Sequence, residues 1–245
     1  MIIGNGLIAQ SFIPHFDKYE DSVILFASGV SNSKQTVESE YLREKLLLQN
    51  ALEQDKLLVY FSTCSIFDPS LQDSRYIQHK LEMESLIEKN EIYLIIRLPN
   101  VVGKIGNPNT MFNYFINQIR AGENIQITEN ATRYIIDADD VAYWTMELIK
   151  DGFHNHIINV AFPNKLHVIS IIKLIEEFLN VKANVNLVKG GNEYEVDLSI
   201  FTNFIRKKMP NFSINSDYVK GIIEKYYFYH QLNYSIIKNK NGNYQ

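Results

Sequence analysis

Cysteine is almost missing: of 245 residues, only Cys64 carries a thiol. No intramolecular disulfide can form, so a reducing compartment, the cytoplasm, is the expected location. Proline (6) and glycine (11) are scarce, which excludes collagenous and low-complexity classes. Basic charge is in deficit, with 24 Lys and Arg against 28 Asp and Glu, a net charge of −4. That excludes the basic stripe of a general nucleic-acid binder. No apolar run approaches the ~18 residues a membrane span needs. No basic segment followed by an apolar stretch marks a secretion signal. His154 and His156 lack a third ligand at persuasive spacing, so no metal is expected. Internal repeats are absent. What remains is 46% hydrophobic, with 15 Tyr and 14 Phe, ample for a substantial core.

The apolar residues that are present alternate between two patterns. Met1-Ile2-Ile3 is a short strand that runs into Gly4. Leu7 to Phe16 has helical spacing, and Pro14 should kink or end that helix. Ser22 to Ala27, Leu57 to Ser62 and Glu91 to Leu98 are nearly continuous apolar runs, as in strands buried on both faces. Helical stretches at Glu38–Gln54 and Tyr76–Lys89 separate them. This β-α-β-α-β-α-β order implies a parallel sheet with right-handed crossovers. Beyond Gly103 the pattern changes. A turn-rich loop is expected at Gly106–Asn109. Helices are expected at 110–121, 139–150, 170–180, 201–208 and 216–230. Strands are expected at 124–128 and 156–160, and a polar, frayed tail at 239–245.

Three local features can carry chemistry. Gly4-Asn5-Gly6-Leu7-Ile8-Ala9 is a G-x-G-x-x-A turn between a strand and a helix. Such a turn lets a pyrophosphate approach the helix N-terminus. Tyr and Lys four apart share a helix face, and a nearby ammonium can lower a phenol's pKa. That spacing occurs at Tyr41/Lys45, Tyr76/Lys80 and Tyr234/Lys238. Only Tyr76/Lys80 opens a helix soon after a strand ending in hydroxyls, Ser62-Thr63-Cys64-Ser65. Ligands of open parallel sheets bind at the carboxyl ends of strands, where Thr63 would stand.

Together these segments resemble the extended short-chain dehydrogenase/reductase family, the NAD-dependent epimerase/dehydratase group that acts on nucleotide sugars. Val23 to Ser31 is similar to its strand and loop beside the nicotinamide ribose. Tyr60 to Phe67 is similar to its catalytic strand. Arg97-Leu98-Pro99-Asn100-Val101-Val102-Gly103 resembles its R-P-x-N-x-x-G segment, Arg133 to Ala142 its R-D-x-I-x-V-x-D-V-A segment, and Ile158 to Ala161 the strand after it. The resemblance implies an α/β fold: a reduced, Rossmann-type, doubly wound parallel sheet over residues 1–103, rejoined by segments near 131–162. Residues 104–245 would mainly form a small C-terminal substrate-binding α/β portion. It also implies roles. Tyr76 would be the general acid/base, Lys80 its ribose-binding partner and Thr63 the substrate-oxygen ligand. Gly4, Gly6, Leu7 and Ile8 would line the pyrophosphate of NAD or NADP. Ala27, Ser28 and Pro99 would lie nearer the ribose and nicotinamide. Ser65, Asn100 and Arg133 would contact a nucleotide-sugar substrate, where a guanidinium suits phosphate. The helices at 38–54 and 76–89 would form a homodimer interface.

Several positions depart from the family. Residues 7–22 are all that separates the glycine turn from the Val23 strand, where the family fits two more strands and a helix. The second of those strands reads the adenosine ribose, so NAD and NADP stay undistinguished. In a second register, Val23–Phe26 would itself be that ribose-reading strand. The short Thr63–Tyr76 gap implies a more open pocket. Arg43 stands where a cofactor-contacting Asn is common. Cys64 and Ser65 replace the Asp-Glu pair of the 4,6-dehydratases, which argues against dehydration. Cys64 has no His partner to make it a nucleophile. Glu82, Glu84 and Arg206-Lys207-Lys208 read as solvated faces. The leading expectation is a keto-sugar reductase. An epimerase of the same family is the alternative, and a catalytically degenerate nucleotide- or partner-binding member the third.

Overall fold

The computed structural model describes residues 1–19, 21–104, 110–191 and 193–227. The expected loop at 106–109, the Tyr234/Lys238 pair and the tail at 239–245 lie outside the described residues.

The strands and helices alternate from the start: β1 (Ile2–Ile3), α1 (Leu7–Phe16), β2 (Val23–Phe26), α2 (Glu38–Leu52), β3 (Leu57–Thr63), α3 (Arg75–Ile87) and β4 (Tyr93–Leu98). There follow β5 (Asn100–Val102), α4 (Met111–Ala121), β6 (Asn124–Thr128), β7 (Thr132–Arg133), β8 (Ile135–Asp137), α5 (Ala138–Lys150) and β9 (His156–Asn159). The last elements are β10 (Leu166–His167), α6 (Val168–Leu179), β11 (Asn184–Val188) and α7 (Ser199–Lys208). A final helix, α8, covers 218–227.

The main sheet runs β1-β2-β3-β4-β9, all parallel. Every residue of β2 is buried, which is why its sequence shows no polar alternation. One face packs Val23, Leu25, Val59 and Phe61 against Phe12 and Phe16 of α1 and Trp144 of α5. The Trp144 ring meets Phe201, Phe204 and Phe212 edge-on, at 5.9, 6.2 and 5.5 Å. The other face packs Ile24, Phe26, Leu58 and Tyr60 against Leu48 of α2 and Met83 and Ile87 of α3. The α/β architecture with helices on both faces is therefore as expected.

Two expectations change. The chain steps in one direction from β1 through β2 to β3, yet α1 lies on one face and α2 on the other. Whichever hand the α2 crossover has, the α1 crossover has the opposite one, so right-handedness does not hold throughout. The cause is visible in the strand order: among the described residues, no strand pairs with the far side of β1. A full doubly wound sheet would place its second strand there. Val23–Phe26 instead lies on the same side of β1 as β3 and β4, whereas a ribose-reading second strand would lie across β1 from them, which rules out the second register. Pro14 also does less than expected. It sits exposed in the last turn of α1, which continues to Phe16 before tightening into a single 3₁₀ turn at Asp17–Tyr19.

Beyond β4 the pairings are short. β5 runs parallel to β8, β10 antiparallel to β7, and β6 parallel to β11. A second core forms around α4, α6 and residues of α8, including Phe112, Ile116, Ile171, Ile175 and Ile222. α5 and β9 return to the main sheet, so residues 138–159 complete the layer that α1 began.

Candidate active site

The glycine turn is shaped by close approach. Gly4 has φ of +124°, and a Cβ there would fall 2.4 Å from the Ala27 carbonyl oxygen. That contact lets Ala27 N donate to Ile3 O at 2.8 Å and seats the turn on the end of β2. Gly6 precedes α1 without a side-chain cap, and a Cβ on it would meet nothing within 4 Å. Open space thus stands before the helix N-terminus, beside Leu7 and Ile8. These residues fit the diphosphate of a dinucleotide. Among the described residues the adenosine side has no such wall, because β1 is the sheet edge. Near the expected ribose, the guanidinium of Arg43 reaches from α2 to Ser28 and donates to its Oγ at 3.0 Å and its carbonyl at 3.2 Å.

α3 carries the candidate catalytic groups. Ser74 caps it by accepting from Ile77 N at 3.3 Å. Tyr76, Lys80 and Glu84 then recur every fourth residue on the face turned to the sheet. The Tyr76 phenol is buried, near enough to the Thr63 side chain for that hydroxyl to lower its pKa. Thr63 Oγ1 also accepts from Ser65 N at 3.0 Å, which holds the hydroxyl at the strand end.

Lys80 does not turn its charge on Tyr76. Its Nζ donates to Glu44 Oε1 and to the Tyr60 hydroxyl, both at 3.0 Å. Glu44 is wholly buried and accepts further from Tyr60 (2.7 Å) and from Val30 N (2.5 Å). His79 Nε2 stands 3.0 Å from its second oxygen, off the hydrogen-bond direction. Burial would raise the Glu44 carboxyl. Lys80, His79, the Tyr60 hydroxyl and the Val30 amide outweigh burial and hold it at about 2. Burial pushes the Tyr76 phenol up to about 12; the Thr63 hydroxyl pulls it down and Glu44 adds to the rise. The expected ammonium-lowered phenol is therefore not what this arrangement provides. The physical reason is that a nearer carboxylate neutralises the ammonium.

Glu84 overturns another expectation. It is not solvated: Arg97 of β4 donates to it from Nε at 3.0 Å and from Nη2 at 2.5 Å, and Ser62 Oγ at 2.5 Å. Glu82 is exposed as expected and pairs with Lys45. Of the basic trio, Lys208 departs from a free solvated face by pairing with Asp151 at 2.5 Å and Glu147 at 3.2 Å. Cys64 is buried against the Arg97 carbonyl at 3.3 Å, and burial raises its thiol to about 12, an inert group.

The expected substrate ligands cluster beyond the strand ends. Leu98 pairs with Thr63, so Pro99 and Asn100 continue directly from the level of the catalytic strand's end. Asn100 donates from its backbone and side-chain amides to the Tyr134 carbonyl, each at 3.2 Å. Arg133 Nη1 donates to Thr132 O at 2.7 Å and lies 3.9 Å from Asp68 Oδ2, in the turn after β3. Tyr194 joins this group: burial raises its phenol to about 12, with Arg133 pulling it down. Ser65 lies in the 3₁₀ turn Cys64–Phe67, its side chain half-buried. Sequence reasoning missed Glu44, Tyr60, His79, Asp68 and Tyr194. A signal existed for Glu44 alone. It falls within the helical stripe Tyr41, Glu44, Leu48, Ala51, at a position where an apolar residue is the rule.

Solved structures share this fold. A UDP-glucuronic acid 4-epimerase from Bacillus cereus, in complex with UDP-glucuronic acid and NAD, has 18% identity and a TM-score of 0.67, over 90% of this chain and 80% of that one. A UDP-N-acetylglucosamine 4-epimerase from Methanobrevibacter ruminantium, in complex with UDP-N-acetylmuramic acid, has 16% identity and a TM-score of 0.66, over 90% and 82%. A dTDP-4-dehydrorhamnose reductase from Bacillus anthracis, in complex with NADP, has 16% identity and a TM-score of 0.64, over 91% and 85%. No curated protein matches by sequence. Residues 19–161, more than half of the chain, match the NAD dependent epimerase/dehydratase family, and the chain belongs to that family.

Proposed function

We propose that this protein is an NAD(P)-dependent oxidoreductase that reduces a keto group on a nucleotide-linked sugar. The observation that carries the reading is the burial of the Tyr76 phenol, which raises its pKa, beside the Thr63 hydroxyl, which lowers it, at the carboxyl end of β3. Lys80 stands one helical turn on, and the open glycine turn lies at the same end of the sheet. A bound nicotinamide would supply hydride. Thr63 would hold the substrate carbonyl oxygen, and Tyr76 would give that oxygen its proton. Asn100 and Arg133 would turn from the Tyr134 and Thr132 carbonyls toward the substrate diphosphate, with Ser65 beside the sugar. Residues 1–103 would be mainly cofactor-binding and 104–245 mainly substrate-binding. An epimerase would use the same hydroxyls. The reductase is preferred because the short Thr63–Tyr76 connection would leave a more open pocket, suited to cofactor exchange. Cys64 and Ser65 offer no second acid and base for elimination of water.

Titration with NADH and NADPH, followed by nicotinamide fluorescence, tests the reading. Saturable binding of at least one is expected; silence from both removes the enzyme from consideration. One observation favours a second reading, a nucleotide-binding member that no longer turns over: Lys80 is held by Glu44 on a sheet that, among the described residues, has no adenosine-side strands beyond β1.

The assembly is proposed to be a homodimer through α2 and α3. These helices leave Leu42, Leu46 and Leu81 exposed at 56%, 52% and 41%. Leu42→Glu with Leu46→Glu should convert a dimer into a monomer in sedimentation; a monomeric parent would dispose of the idea. The proposed location is the cytoplasm. Among the described residues no helix is long and apolar enough to cross a membrane.

A further inference from the structure

The carboxylate of Glu44 joins two things that a cofactor needs separately. One oxygen takes the Lys80 ammonium at 3.0 Å, and the other takes the Val30 amide at 2.5 Å. Val30 ends the Ser28-Gly29-Val30 segment that leaves β2, so the lysine and the segment are tied through one buried group. Gly29 is the tightest point. A Cβ there would fall 2.6 Å from Lys80 Nζ and 2.9 Å from Glu44 Oε1. The segment therefore lies directly over the ammonium, and Lys80 as a whole is 2% exposed.

We propose that Glu44 is a positioning residue, a latch holding Lys80 beneath residues 28–30, and that a dinucleotide engages Lys80 only by taking it from Glu44. The inference rests on the cofactor reading above. Two physical effects have the same sign. A carboxylate that holds the ammonium competes with ribose hydroxyls for its donors. A buried negative charge beneath residues 29–30 also disfavours an anionic ligand engaging Lys80 there, across low dielectric. Neutralising Glu44 relieves both. A merely structural Glu44 would do the reverse, since its loss would loosen the site and weaken binding.

The experiment compares the full-length parent, Glu44→Gln and Gly29→Ala. Glu44→Gln keeps the shape but removes the negative charge, and its amide has one acceptor oxygen, so it cannot accept from Lys80 and from Val30 N at separate atoms as the carboxylate does. Backbone hydrogen exchange at Val30 should accelerate about tenfold without ligand, and the Kd for NADH or NADPH should fall about tenfold. Gly29→Ala leaves the buried charges in place and presses a methyl group on the latch from the segment side. Its Val30 exchange should also accelerate, and it carries the test if Glu44→Gln does not fold. Unchanged Val30 exchange in the folded variants overturns the latch. So does a Glu44→Gln Kd equal to or weaker than that of the parent. Binding at equal affinity by parent and Glu44→Gln sinks the latch alone. Absence of nucleotide binding by every form sinks the cofactor reading and the latch with it.

Discussion

Tyr76→Phe is expected to lower turnover by about 10²–10⁴-fold while leaving nucleotide affinity within about twofold. The phenyl ring stays in the same buried slot between α3 and β3, so packing changes little. What is lost is the hydroxyl that meets Thr63 and would donate the proton. A phenol pushed up to about 12 is protonated at neutral pH and suits the donor role in reduction. The measurement is steady-state turnover beside a fluorescence Kd, on one preparation. A turnover like that of the parent would remove Tyr76 from the chemistry. A collapse of binding together with turnover would make it a packing residue instead.

Arg97→Ala should be the most damaging single change to stability, at roughly 3–5 kcal/mol, because it strands a buried carboxylate. Glu84 is 3% exposed at its side chain, and Ser62 Oγ would be its one remaining hydrogen-bond partner of the three described. For a chain of this size the loss corresponds to a fall of roughly 6–20 °C in Tm. The pair Arg97→Met with Glu84→Met removes both charges together and should recover most of the loss. Differential scanning calorimetry on the three proteins decides it. Equal Tm values for parent and Arg97→Ala would show that the pair carries no weight. The consequence reaches the active site, because Ser62 adjoins Thr63 on β3 and Glu84 lies two turns beyond Tyr76 on α3. Loosening this pair loosens the frame that holds the phenol against the hydroxyl.

Much of this frame was legible from residue order. The runs at Val23, Leu57 and Tyr93 read as strands because a strand buried on both faces has no polar alternation to hide it. α2 and α3 read as helices because their apolar residues recur at helical intervals. Tyr76/Lys80 stood out from Tyr41/Lys45 by following a strand rich in hydroxyls. In the fold, the Tyr41 hydroxyl donates to the Gln35 carbonyl, and Lys45 pairs with Glu82 on the surface. By contrast, β5, β7, β8 and β10 have two or three residues each and carry no period to read. β11 escaped notice because it is largely exposed and, among the described residues, pairs with β6 alone.

The residues by themselves determined the fold class, the glycine turn and the placement of Thr63, Tyr76 and Lys80 around one sheet end. Each follows from local pattern: apolar period, a Cβ-free turn, and helix spacing of four. Folding alone chose where the charges go. Lys80 meets Glu44 across 36 residues, and Arg97 meets Glu84 across 13. A lone Glu on a helix looks solvated until the facing element is known. The same holds for the hand of the first crossover, which became visible only when α1 and α2 were found on opposite faces. These are long-range consequences of packing, and no local period encodes them.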